Sequence, residues 1–355
     1  GDIYRKVTSG SQAGVLPAMA VAYETMTSEY VRKGAVAELD PYLQHPEWGY
    51  TEEELDDFFP ALLETNRYAE FGGKTYSFPF TKSVLLMYTK GRVLREVGID
   101  APPATWVEFL DQCRRIKSAR GNAPLSLDVS ASTFVAMVYS RGGEVMNGRE
   151  PRFDSPEARE TLAFLETLVK EGLVYQNQPN TFEDQTSFGQ DRLAFNFRPS
   201  SSLFYVARMM EDYDDWIVSM IPQRDPTNPA TVLYGANVCI FDISEDHKQA
   251  AWQFVRFFTS PEITARWSMG TGYLPVRKSA AESPEMSAFF REHPHHRAPF
   301  DALAVARPEP NLVAWQELRG QIEDAMVAVL AQMKSGHQAA EDLQAGAVAP
   351  LNRDR

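Results

Sequence analysis

A small set of aromatic, acidic, amide and hydroxyl residues falls in stretches that read as strand ends and helix starts. A rigid scaffold holds binding groups accessible at such places. Tyr23-Glu24 follows a short apolar strand and opens a helix. Thr81-Lys82-Ser83 follows Pro79-Phe80. Ser200-Ser201-Ser202 follows Pro199 and precedes a helix expected from Leu203 to about Met210. Gly235-Ala236-Asn237 interrupts an apolar strand, Tyr273 stands in Thr271-Gly272-Tyr273-Leu274-Pro275, and Trp315 lies near the start of the last long helical region. Trp48 and Trp216 sit in loop-like surroundings. Flat rings pack on C–H faces, while carboxylates, amides and hydroxyls exchange hydrogen bonds with polar ligand groups. A Ser-rich helix start also offers free N–H groups to an anion. Each residue has an ordinary alternative. Glu24 can simply favour a helix N-terminus, Lys82 can be a solvated hinge lysine, the serines can be caps, and the tryptophans can be core.

Catalytic chemistry finds no foothold. No H-E-x-x-H, G-x-S-x-G, phosphate-loop or G-x-G-x-x-G motif occurs. Ser9, Ser11 and His247 have no catalytic motif around them. A glycosidase needs two carboxylates flanking a bond, and with 48 acidic residues chance pairs are certain. No catalytic residue, metal site or cofactor is therefore assigned. His293-Pro294-His295-His296 has metal-ligand residue types, but a Pro-bounded polar loop is the simpler reading. Two cysteines, Cys113 and Cys239, cannot make a disulfide framework or a four-ligand zinc site and read as small buried hydrophobes.

The 355 residues allow two domains or one large one, and 44% hydrophobic residues support a core. Lys and Arg number 35 against 48 Asp and Glu, a formal charge of −13 that makes the chain a poor nucleic-acid binder, because phosphate contacts need a basic face. No 18-residue apolar run exists. Gly1-Asp2-Ile3-Tyr4 has neither the basic nor the apolar region of a signal peptide.

The elements that must position these residues alternate between helix and strand. A helix over 2–12 gives way to a strand within 16–23 and a helix over 25–34 ending at Gly34. Thr51 with Glu54, and Thr105 with Glu108, are capping boxes, the first opening a helix over 51–68. Gly72-Gly73 marks a hairpin, and Val84 to Tyr88 is a continuous apolar strand. Ser155-Pro156-Glu157 and Ser260-Pro261-Glu262 open two more helices. Trp252, Phe254, Phe257, Phe258 and Trp267 recur at helical spacing and read as core. A long amphipathic helix is expected over 313–334. The alternation predicts an α/β protein with mostly parallel sheets, and the break at Gly235 predicts a close backbone approach or chain crossing.

Five pieces in series resemble the family 1 extracellular solute-binding proteins of bacterial ABC importers. They are Pro79-Phe80 leading to Leu86-Met87-Tyr88-Thr89-Lys90; Val97-Gly98-Ile99-Asp100-Ala101-Pro102-Pro103-Ala104-Thr105-Trp106; Phe188-Gly189-Gln190-Asp191-Arg192-Leu193-Ala194-Phe195; Trp252-Gln253-Phe254-Val255-Arg256-Phe257; and Thr271 to Lys278. The last is similar to the glycerol-3-phosphate-binding branch and its sugar-binding relatives. The resemblance covers most of the chain. It implies a two-lobed periplasmic-binding-protein type II fold, with lobe I from 1–82 and 236–275, lobe II from 83–235 and 276–355, and crossings near Ser83, Gly235 and Pro275. It also implies that a strand–helix–strand unit and a secretion leader ahead of Gly1 are missing.

The implied function is that of a substrate-binding receptor. It would capture a mono- or oligosaccharide between the lobes by hinge closure and deliver it to a membrane permease. The receptor would be a monomer outside the cytoplasm, periplasmic or lipid-anchored. The implied ligand set is Tyr23, Glu24, Lys82, Ser83, Ser200, Ser201, Gly235, Ala236, Asn237, Tyr273 and Trp315. The glycerol-phosphate branch places an arginine near the start of the long C-terminal helix. Here Asn311 or Leu312 falls at that place, and neither Arg307 nor Arg319 matches it. That departure favours a neutral carbohydrate over the alternative, glycerol 3-phosphate or a glycerophosphodiester; a glycoside-active enzyme is the lesser alternative.

Overall fold

The computed structural model describes residues 2–176, 183–210 and 215–353. The chain divides into two compact units, each assembled from three segments. Unit 1 comprises Gly1–Ser83, Leu233–Glu292 and Pro308–Gln316; unit 2 comprises Val84–Val232, His293–Arg307 and Glu317–Arg355.

Unit 1 is organised around a three-stranded antiparallel sheet. Strand Asn237–Ile240 lies between Met19–Ala22 and Phe78–Pro79. Tyr30, Val36, Cys239 and Phe241 form a core on it with Val7 of helix Asp2–Gln12. The capping box at Thr51 is present, Glu54 N donating to Thr51 Oγ1 and Thr51 N to Glu54 Oε2. The helix it opens stops at Asp56, and a second one runs Pro60–Glu64, where the sequence predicted one continuous helix. Pro60 forces Phe59 into an extended conformation, which breaks the run. The hairpin around Gly72-Gly73 pairs Arg67–Tyr68 with Lys74–Thr75.

Unit 1 continues past 275, where the sequence placed a crossing. Arg277 donates to Thr259 O, and the Ser279 N–H and hydroxyl bond Asp57, so this stretch is tied back to unit 1. Asn311 ties the short segment 308–316 to Thr65 and Arg67 in the same way.

Unit 2 holds most of a mixed seven-stranded sheet. Its central strand Ser83–Lys90 is buried along its whole length. Phe195–Pro199 and Trp216–Ser219 pair with it antiparallel, while Leu125–Leu127 pairs parallel with Phe195–Phe197 and with Val174–Tyr175. The expectation of mostly parallel sheets is thus corrected. Strand Ser83–Lys90 leads through two helices to Leu125–Leu127, yet its neighbours Phe195–Pro199 and Trp216–Ser219 both run antiparallel to it, so the helical crossovers yield parallel pairs on one side of the sheet. Trp106–Arg120 opens with the predicted capping box, and Pro156–Lys170 is capped by Ser155. The long helix runs Trp315–Leu330 and is followed by Gly336–Arg353.

The aromatic helices of unit 1 depart from expectation. Trp252 and Phe258 are buried, yet Phe254 is 39% exposed, Phe257 58% and Trp267 36%. Trp252, Val255 and Phe258 share the inward face of helix Glu245–Phe258, which leaves 254 and 257 on the outward one. Cys113 and Cys239 are buried free thiols, and burial pushes Cys239 up to about 12.

Candidate functional site

Unit 1 gathers several of the expected binding residues onto one polar chain. Strand Met19–Ala22 ends at Tyr23, whose extended backbone precedes helix Glu24–Arg32. Glu24 therefore occupies the first turn, where the helix dipole favours a carboxylate, and the Tyr23 ring is exposed. Glu24 Oε1 accepts from Asn237 Nδ2 at 2.8 Å and lies 3.6 Å from Lys82 Nζ. Lys82 is fully buried and donates to Gly235 O at 3.1 Å.

Behind Asn237 stands a relay that sequence reasoning did not find. Asn66 Nδ2 donates to Asn237 Oδ1 at 3.3 Å and to Leu62 O at 2.7 Å. Asn66 Oδ1 accepts from Ser77 Oγ at 2.5 Å, and Ser77 Oγ is 2.8 Å from the Tyr68 hydroxyl. All four of these side chains are buried. Asn66 and Asn237 are 171 positions apart, so no local pattern could have paired them. The relay fixes the rotamer of Asn237 and, through it, the aim of the Glu24 carboxylate.

Gly235 makes this packing possible. Its φ is +110°, and a Cβ there would overlap the Thr81 carbonyl oxygen and lie 3.0 Å from Lys82 Cα. The Thr81 N–H donates to Ala236 O at 3.1 Å, so the two segments touch backbone to backbone. Leu274 N donates to Lys82 O at 2.8 Å, which sets half-buried Tyr273 next to the Lys82 segment. Tyr23, Glu24, Lys82, Gly235, Ala236, Asn237 and Tyr273 thus occur on elements of unit 1 that contact one another. Ser83 is the last residue of the first unit 1 segment and is buried.

Ser200 and Ser201 belong to unit 2. Ser200 is buried and its Oγ accepts from Val84 N at 3.4 Å, while Ser201 is half-buried. Ser200–Ser202 forms a 3₁₀ turn without a side-chain cap, followed by a helix of seven residues, Leu203–Met209. The serines are therefore not the side-chain caps of the ordinary alternative. Trp315 is buried in unit 1 with its indole N–H donated to Glu309 Oε2 at 2.7 Å. Trp48 stacks on His45 at 3.4 Å, and Trp216 is buried against Tyr88 and His295. Among the described residues no group of three or more His, Cys, Asp or Glu side chains could hold a metal ion.

Asn311, at the position the resemblance gives to a phosphate-binding arginine, spends its amide N–H groups on backbone, and its Oδ1 accepts from Ser28 Oγ at 3.5 Å. Its Nδ2 donates to Thr65 O at 3.0 Å and Arg67 O at 3.3 Å. Arg307 pairs with Glu144 in unit 2, and Arg319 donates to Ser132 Oγ at 3.2 Å.

Burial lowers the pKa of Lys82, and the Glu24 charge opposes the shift. The folded state therefore holds this proton less tightly than the unfolded chain, whose lysine titrates near about 10.5. The penalty of the buried ammonium is fully present below the folded pKa. It is relieved as pH rises from that value toward the unfolded one. Urea midpoints should thus rise with pH in this window relative to those of Lys82→Met. A difference between the two proteins that stays flat with pH would refute a buried, titrating Lys82.

The two α/β units have the fold of the two-lobed solute-receptor class. The chain belongs to the bacterial extracellular solute-binding protein family, whose model matches residues 1–298. It is 24% identical over 291 residues to the sn-glycerol-3-phosphate-binding periplasmic protein of Rhizobium meliloti, a match covering 77% of this chain and 66% of that one. The same fold occurs in UgpB from Mycobacterium tuberculosis in complex with glycerophosphocholine, with a TM-score of 0.86 and 20% identity over 99% of this chain and 88% of that one. It also occurs in the cyclic α-maltosyl-1,6-maltose binding protein of Arthrobacter globiformis, with a TM-score of 0.84 and 20% identity over 99% and 89%. The family consists of extracellular substrate-binding proteins, and no described helix is long and apolar enough to cross a membrane.

Proposed function

We propose that this chain is the receptor of a bacterial ABC importer and captures a neutral carbohydrate. The observation that carries the reading is the charge-balanced Glu24–Lys82–Asn237 group beside Tyr273 and exposed Tyr23. An acceptor carboxylate whose charge is already matched by a buried ammonium favours ligand hydroxyls over a ligand anion. The rings supply faces for pyranose C–H groups. Asn311, held by two carbonyls, offers no cation to a phosphate. The site comprises Tyr23, Glu24, Lys82, Ser83, Gly235, Ala236, Asn237 and Tyr273, with Ser200, Ser201 and Trp315 as further contacts. Capture proceeds by hinge closure, the ligand shifting an open–closed equilibrium by its differential affinity. Delivery is to a membrane permease, from a receptor that is periplasmic or lipid-anchored at the cell surface.

A thermal-shift screen of mono- and disaccharides, maltooligosaccharides, glycerol 3-phosphate and glycerophosphocholine tests the reading. A ligand that binds only the folded state raises stability by RT ln(1 + [L]/Kd). A shift with a neutral sugar is expected. A shift with the phosphate compounds alone would establish the second reading, which the Rhizobium relative favours. No shift with any sugar would overturn the carbohydrate reading. In the positive case Tyr273→Ala should weaken binding by about tenfold or more, as loss of a stacked ring does. An affinity within about twofold of the parent would remove Tyr273 from the site.

A further inference from the structure

We infer that unit 1 carries a second, separate pocket that binds a small zwitterion with an apolar body, of the kind represented by an apolar amino acid. The cavity has a volume of about 330 Å³, and all its lining residues fall between Asp40 and Phe78. That size is at the lower end for small-molecule pockets. Its walls are the half-buried side chains of Leu43, Leu55 and Leu63, and buried Phe78 lines it as well. Phe78 is held rigid by Tyr50 at 5.4 Å and Trp252 at 5.6 Å, so this wall has little room to collapse. Half-exposed leucines around a preformed hollow favour a hydrocarbon group that displaces water.

The charges select what else the occupant carries. Exposed Glu52 and Arg67 line the same cavity. Among the described residues, neither the Glu52 carboxylate nor the Arg67 guanidinium has an ion-pair or hydrogen-bond partner. Asp40, also in the lining, already accepts from the Thr75 N–H at 2.8 Å and the Thr75 hydroxyl at 2.9 Å. An ammonium suits Glu52, and a carboxylate suits the planar fork of Arg67. A molecule with one group of each sign and an apolar side chain satisfies both charges and covers the leucines. A purely apolar or singly charged molecule does not. This pocket stands apart from the Glu24–Lys82 group. Only Asn66 belongs to both, lining the cavity and bonding Asn237. The inference does not depend on the identity of the imported solute.

Saturation-transfer NMR on the full chain, with L-phenylalanine as the probe, tests it. Saturation of the probe ring is expected in the parent protein and should vanish in Leu63→Trp, which fills the hollow. Leu55→Phe serves the same purpose if Leu63→Trp does not fold. Phenethylamine and 3-phenylpropionate each lack one charge and should bind about threefold or more weaker, as should L-phenylalanine to Glu52→Gln or Arg67→Gln. No saturation in the parent, saturation that persists in the filled variant, or equal binding of the singly charged analogues would each overturn the inference. The sugar screen is read separately, so failure of one reading leaves the other standing.

Discussion

Gly235→Ala should be among the most damaging single substitutions in unit 1, lowering stability by about 3 kcal/mol. An alanine pays about 1–2 kcal/mol for a left-handed backbone, and overpacking adds about 1–3 kcal/mol. Here both apply, because the new Cβ meets the Thr81 carbonyl oxygen. Backbone cannot rotate aside as a side-chain tip can, so the Thr81-Lys82 segment must move. That segment carries Lys82 and, through Leu274, the neighbour of Tyr273. Ligand affinity should therefore fall together with stability. Gly73→Ala is the control. Gly73 has φ +71° with open space around its would-be Cβ, so only the backbone term of about 1–2 kcal/mol applies. Urea denaturation that found equal losses for the two variants would refute the close approach at Gly235.

Asp184→Ala in unit 2 should cost about 3–5 kcal/mol, the usual effect of removing one partner from a buried ion pair. Asp184 is buried, and its Oδ2 accepts from Arg198 Nε at 2.6 Å and from Asn196 Nδ2 at 2.9 Å. A further bond joins Arg198 Nη2 to Oδ1. Truncation takes all three bonds from the side chains of strand Phe195–Pro199, next to the central strand of the sheet. Asp184→Leu with Arg198→Met should recover most of the loss, because two well-packed apolar side chains leave no uncompensated charge. A double variant as unstable as Asp184→Ala would show that shape, rather than charge, sets the cost.

Local chemistry was legible in the sequence wherever cause and effect lie within a few residues. Both capping boxes and the Ser155-Pro156 start stand where expected, because the cap and its N–H partners are three residues apart. The break at Gly235 announced its close approach, since a glycine inside an apolar strand has few other uses. Pro60 was equally local, and the expected 51–68 helix overran it. The sense of strand pairing was not legible, because alternation of helix and strand does not say which distant strand returns beside Ser83–Lys90.

Among the site residues, the placement of Tyr23-Glu24 at a strand end and helix start could be read directly. The burial of Lys82 could not, because nothing around Thr81-Lys82-Ser83 distinguishes a solvated lysine from one enclosed by Gly235 and Glu24. Asn66 gave no signal at all. Its importance comes entirely from Asn237, across the fold. The outward turn of Phe254 and Phe257 was hidden by a spacing that holds Trp252, Val255 and Phe258 inside.

The division of each unit into three segments has a consequence for how the chain is made. A ribosome releases residues in order, and domains that are continuous in sequence can fold as they emerge. Unit 1 lacks its last segment until Gln316 has been synthesised, and unit 2 draws on residues from Val84 to the final helix. Neither can close its core while most of the chain is still being made. The core of unit 1 is therefore complete only after Gln316 has left the ribosome, and that of unit 2 only after helix Gly336–Arg353 has. That timetable suits a family whose members work outside the cell, because a chain that folds late is still extended when it meets the export machinery.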